Sequence, residues 1–322
     1  TSPVVATTSE VLLNGFTLLP NEDQAATRMT GTASVSLGER PQFNAVISGG
    51  VVTLLPRVIT EDNTVQPFEL VRLLREMPQP ILPPLPGRVG VDINELGLRG
   101  VALRDVRLDA VTNGELWRIE EFSGRLAGDT TVNLVGTLGR QAGWAAFDGT
   151  LDINARRLDA LSLLWRRTVD GNPLFNMPGQ LTGAIRMTND GLRLNDGLFV
   201  LDGTSHSVSG LMRFGDQPVL EVDAKLAELS PGQSAALLAL LPPVDPAGAF
   251  GLSFPVGRLD LQAAGGRVVG QDFSDISLAM SWGADGIAVE GARISDFGGL
   301  AFEGSGQLAG TLADPVIAGS GQ

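Results

Sequence analysis

Bulky aliphatic side chains fall at alternate positions through most of this chain, and that period of two decides what it can fold into. In "VDINELGLRGVALRDVRLDAV", residues 91 to 111, the pairs Val91/Ile93, Leu96/Leu98, Val101/Leu103 and Val106/Leu108 recur every five residues. Neighbouring strand residues point to opposite faces, so such a pattern builds a sheet with one apolar and one polar side. The phase slips between pairs. A pentapeptide β-helix writes a similar pattern, but four units make only about one coil, too little to bury a core. Two strands carrying bulges, or a tight corner near Arg99-Gly100, account for it instead.

The alternation is repeated. "NGELWRIEEFSGRLAGDTTVNLVGTL" from Asn113, "DGLRLNDGLFVLDGTSHSVSGLM" from Asp190 and "DGIAVEGARISDFGGLAFEGSGQL" from Asp285 align, each opening on an Asn-Gly or Asp-Gly pair suited to a tight turn. A strand with Trp117 and Ile119, Leu192 and Leu194, or Ile287 and Val289 on one face follows. After a second Gly-containing turn the chain returns through Val132 and Leu134, Val208, or Leu300 and Phe302. A fainter copy runs from Asn14-Gly15 through "MTGTASVSLGERPQF", which matches "VSGLMRFGDQPVL" at Gly31, Leu37-Gly38 and Pro41. The expectation is a meander of antiparallel hairpins in four sub-repeats, roughly 1–87, 88–178, 179–254 and 255–322, forming one repetitive β fragment.

Three short helices interrupt it. The segment 67–77 has Pro67 at a first helical position and Leu70, Leu73, Leu74 and Met77 on one stripe. The segment 231–241 has Ser230 as cap, Pro231 at the first turn and Gln233 completing a capping box, with Pro242 and Pro243 as the stop. The segment 158–167, "LDALSLLWRR", is the third. Each suits a cap packed against sheet ends.

Composition narrows the function. With 23 Lys+Arg against 36 Asp+Glu, for a net charge of −13, the chain lacks the basic surface that nucleic acid requires. Without cysteine there are no disulfides, zinc thiolates or thiol nucleophiles. No apolar run approaches the roughly 20 residues of a membrane-spanning helix. Catalytic signals are weak as well. The single histidine, His206, sits between Ser205 and Ser207, but strand neighbours face opposite ways, so it reads as a half-exposed strand or turn residue. "GSGQLAG" at 304–310 lacks the Lys-Ser/Thr of a phosphate loop and lies within a hairpin. Trp117, Trp144, Trp165 and Trp282 are spread out, as core packing residues would be. The chain therefore reads as non-enzymatic, with no cofactor, metal or nucleotide.

The Asp-Gly hairpins together with "GLRGVALRDVRLDA", "FSGRLAGDTTVNLVGTL" and "LDALSLLWRR" resemble the AsmA-like family of Gram-negative envelope proteins. The resemblance covers most of the chain, strongest over about 88–170 and from 255 onward. It implies an all-β fold with a few short helices: an elongated, curved, mostly antiparallel sheet shaped like a taco or groove. It also implies a periplasmic location, the parent protein held in the inner membrane by an N-terminal helix outside these residues. The implied role is outer-membrane biogenesis through phospholipid transport between the two membranes, with inner- and outer-membrane proteins as partners at the ends. Acyl chains would then lie on the inward set Ile119, Val132, Leu134, Leu192, Leu194, Ile287, Val289, Leu300 and Phe302. The alternation alone equally fits a structural or adhesive β-repeat, solenoid or passenger-type, with a packed core and no lipid.

Overall fold

The computed structural model describes residues 3–19, 28–55, 79–98, 101–164, 171–240, 256–268, 270–283, 286–310 and 315–322. They divide into two compact units, the first ending at Ile153 and the second beginning at Asn154. The chain is all-β and mostly antiparallel, built from hairpins in which each strand pairs with its sequence neighbours. The first unit holds β1 (Val4–Ala6), β2 (Glu10–Leu18), β3 (Met29–Ser36), β4 (Gln42–Leu55), β5 (Gly87–Leu98), β6 (Val101–Thr112), β7 (Trp117–Leu126), β8 (Thr130–Gln141) and most of β9 (Trp144–Ala155). The second holds β10 (Gly179–Thr188), β11 (Gly191–Leu201), β12 (Thr204–Arg213), β13 (Val219–Leu226), β14 (Val256–Val268), β15 (Gln271–Gly283), β16 (Gly286–Phe297), β17 (Leu300–Gly310) and β18 (Pro315–Gly321). Among the described residues, neither unit's last strand pairs back on its first.

One pairing in each unit departs from the meander. β4 runs parallel to β5, and β13 runs parallel to β14. A parallel neighbour needs a crossover, and the second unit's crossover carries a helix, α2 (Pro231–Leu240). The other described helix, α1 (Leu158–Leu161), continues as a 3₁₀ turn over Ser162–Leu164. The helix expected over 67–77 and the end of that expected over 158–167 lie outside the described residues, as do Pro242 and Pro243.

The slipping phase of the 91–111 stretch has a physical cause. β5 and β6 are two antiparallel strands in one register, Ile93 opposite Val106 and Leu96 opposite Leu103. Asn94 and Asp105 fall between those pairs, Asp105 at a positive φ of 49°. An irregular residue on each strand advances the count by one on both, so the apolar set stays on one face. The second unit repeats the device: Ala263 pairs Ile276 and Gly265 pairs Ser274, with Asp275 at φ 46° in between.

The turns differ from expectation. Asn14-Gly15 opens no hairpin; it lies inside β2, where the register shifts between Leu13 and Phe16. Gly191 is the first residue of β11, following a two-residue reversal at Asn189-Asp190, and Asp285 is outside the described residues. Asn113 starts a wider loop, its Oδ1 accepting the amides of Glu115 and Leu116. Positive φ at both central residues, the signature of the tight hairpin turn, occurs at Ala142-Gly143, Asp202-Gly203 and Gly298-Gly299.

The polar faces carry ion pairs along and across strands. Arg88 reaches Asp109 and Glu120, Arg107 reaches Asp109 and Glu121, and Arg258 lies between Asp260 and Glu290. Exposed pairs contribute little stability, roughly 0–1 kcal/mol each; their charges keep this side in water. On the apolar side, aromatic rings lie across glycines at the start of both crossover strands, Phe43 over Gly87 and Trp282 over Gly257. A Cβ on either glycine would overlap the ring. Gly257→Val is expected to destabilise the protein by roughly 1–3 kcal/mol, seen as a lower urea midpoint. Gly50→Ala, into open space, should leave the midpoint unchanged or raise it slightly.

Candidate functional site

Following the registers strand by strand traces apolar rows across each unit. In the second unit one row runs Leu192, Met212, Leu220, Gly257, Trp282, Ile287, Leu308, Ile317. The next runs Leu194, Gly210, Val222, Leu259, Met280, Val289, Gly306, Gly319. In the first unit the equivalent rows run Val11, Val35, Phe43, Gly87, Thr112, Trp117, Leu138 and Leu13, Ala33, Ala45, Val89, Ala110, Ile119, Gly136. Residues opposite one another in register share a face, so each unit presents one apolar face crossed by all of these strands.

The residues expected to line a groove fall on these faces. In the first unit Ile119 lies opposite Gly136, Leu134 opposite Phe122 and Val132 opposite Gly124. In the second, Leu192, Leu194, Ile287 and Val289 occupy the two rows above, and Leu300 and Phe302 extend the same face beside Phe297 and Ile294. None is fully buried. Seven are half-buried, while Leu300 is 72% and Phe302 47% exposed. Between bulkier rows run smaller side chains, Ala33, Ala45 and Ala110 in one unit, Ala224, Ala292 and Gly304 in the other, leaving relief across the strands.

Among the described residues, one margin of each face carries a buried cluster. In the first unit Val52, Ile93, Leu96, Leu103 and Val106 pack into a buried cluster with Met29. In the second, Leu229, Ala263 and Phe273 form the counterpart, with Leu237 of α2 packed on it. The capping box forms as expected: the Ser230 amide donates to Gln233 Oε1 at 2.8 Å and the Gln233 amide to Ser230 Oγ at 3.2 Å. Gln233 Nε2 also donates to Leu201 O at 2.9 Å and Thr204 Oγ1 at 2.7 Å, pinning α2 to the β11–β12 turn. At the other margin of the first unit the Trp117 indole donates to Ile81 O at 2.8 Å and Arg140 to Pro80 O at 2.9 Å, tying the proline-rich stretch 80–86 across the strand ends.

His206 is not the half-exposed residue expected. It is 2% exposed, on the apolar face beside Phe199, while Ser205 and Ser207 face away into solvent. The correction has a simple source, since α2 and its approach cover that stretch of β12. Burial pushes its pKa below the ordinary imidazole range. Trp144 is 51% exposed at a turn, not a core residue, and Trp165 lies outside the described residues. A recess of about 600 Å³ on the second unit's polar side is bordered by Ser277, Glu290, Arg293 and Glu303. Among the described residues no three His, Cys, Asp or Glu side chains gather as a metal site, and no helix is long and apolar enough to cross a membrane. The chain matches no family model, no curated protein and no solved structure.

Sequence reasoning missed the sealed margins. Leu201 joins the face of Leu192 and Leu194 only through the register shift between Leu194 and Gly197, and although the capping box announces α2, a period of two does not say which part of a face a crossover will cover. Substitutions should separate the two environments. Leu201→Ala, at a fully buried side chain, should cost about 2–5 kcal/mol in chemical denaturation, whereas Leu300→Ala should cost under about 1 kcal/mol.

Proposed function

We propose that this chain is a non-enzymatic hydrophobic conduit for phospholipid acyl chains, working in the periplasm as part of an AsmA-like envelope protein anchored in the inner membrane. The observation that carries the reading is the half-burial of the apolar rows. A packed structural or adhesive repeat would bury them throughout, as it buries Leu201; here seven of the nine expected residues are half-buried and two are open. Large exposed apolar faces are uncommon unless something occupies them.

Magnitudes favour lipid as the occupant. Each methylene removed from water is worth about 0.8 kcal/mol, so an acyl chain of around 16 carbons crossing an aqueous gap unshielded faces a penalty on the order of 10 kcal/mol. A continuous face of aliphatic side chains offsets that penalty without specific polar recognition. Relief between bulky rows suits a narrow unbranched chain lying across the strands. Movement would be diffusive, its direction set by partner proteins at the ends or by the lipid gradient.

The test is lipid content. Protein expressed in a Gram-negative host and purified should yield phospholipid in an organic extract analysed by mass spectrometry. Leu134→Asp in the first unit and Phe302→Asp in the second should each lower that yield while far-UV circular dichroism stays that of the native sheet, because a carboxylate on the face disfavours an acyl neighbour. Lipid-free wild-type protein, or lipid content indifferent to both substitutions, would favour the structural reading.

A further inference from the structure

Hydrogen bonds fasten α2 and the segment leading into it to the sheet, and one of them depends on the protonation state of a single side chain. The amide of Ala227, in the segment joining β13 to α2, donates to His206 Nδ1 at 3.1 Å. An acceptor nitrogen carries no proton, so in this arrangement the proton of the neutral ring sits on Nε2. Nε2 is buried and has no hydrogen-bond partner. On α2 itself, Ser234 Oγ is also buried and unpartnered. Adding a proton to this imidazole turns Nδ1 into a donor facing another donor and places a full charge against apolar neighbours. Both effects act on the same segment.

Among the described residues no compensating charge is at hand. On β11 the side chains sharing the face of His206 are Leu192, Leu194, Phe199 and Leu201. On β13 they are Leu220, Val222, Ala224 and Leu226, with Glu221, Asp223 and Lys225 on the opposite face. α2 carries no titratable residue, Glu228 and Asp202 are exposed, and Arg267 is held by Asp272 at 2.6 Å.

We infer that His206 is the latch of a proton-sensitive flap: protonation breaks its bond to Ala227 and frees α2 from the margin of the second unit's apolar face, uncovering Leu201, Ala263 and Phe273. The sign follows from linkage. In the docked state burial holds the imidazole below its ordinary value of 6.5, and undocking restores that value. Docking is at full strength above about pH 6.5, and below it the undocked fraction rises by about tenfold per pH unit until the docked pKa is reached. That the flap admits acyl chains rests on the conduit reading; its release by acid does not.

His206 is the only histidine, which makes the experiment clean. Hydrogen exchange of the full chain, corrected for intrinsic rates, should show protection over 231–240 falling as the pH drops from about 7 to about 5, by up to about tenfold per unit below about pH 6.5, with β15 and β16 unchanged. His206→Asn, whose Oδ1 can accept the Ala227 amide without titrating, should abolish that dependence. In wild-type protein the single imidazole resonance should titrate below 6.5 in step with shifts of the α2 amides. Equal protection at both pH values, the same loss in His206→Asn, or an imidazole titrating at or above 6.5 would overturn the latch. Each readout is independent of lipid, so acid release with lipid-free protein would leave the latch standing and sink the conduit.

Discussion

Everything in this protein depends on keeping apolar side chains in phase from strand to strand. With a period of two, a register error of a single residue turns a whole strand inside out. The paired irregularities at Asn94 with Asp105, and at Ala264 with Asp275, let long strands twist without such an error, because both partners advance together. Single-sided shifts do the same elsewhere, as between Leu194 and Gly197 on β11. The rows of Leu192 to Ile317 and of Val11 to Leu138 persist because these corrections are made in many of the hairpins, while others, such as β3–β4 and β12–β13, keep an unbroken register.

The two units solve one packing problem with different residues. Phe43 shields Gly87 in the first, and Trp282 shields Gly257 in the second. The ring comes from the strand before the glycine in one case and from the strand after it in the other. What is preserved is the contact, an aromatic plane lying on bare backbone, which covers peptide groups that an apolar ligand could not hydrate. Leu103 and Phe273 likewise hold equivalent places in the two buried clusters. Sealing one margin and leaving the rest half-buried gives each unit a small rigid core beside a larger accessible face.

Much of the fold was legible because alternation survives in the sequence wherever one face meets water. Strand identity, hairpin connection and the capping box of Ser230 and Gln233 could all be read directly. The parallel pairs β4–β5 and β13–β14 could not, since a strand's own residues do not record the direction of its neighbour. The Asn14-Gly15 turn was misread for a related reason: positive φ serves a bulge as well as a reversal. The face lining was legible residue by residue, but the burial of His206 was not, because it depends on a helix arriving from a crossover some twenty residues downstream.

The crossovers also govern how such a sheet can change length. An added antiparallel strand reverses the direction in which the chain leaves the growing edge, so antiparallel additions preserve the layout only two at a time. A parallel step removes that restriction, since the chain crosses back and sets out again from the same side. β5 and β14 each begin a fresh antiparallel run this way. Odd-numbered blocks separated by parallel steps can therefore be gained or lost whole, with the greasy side of every block still facing the same way.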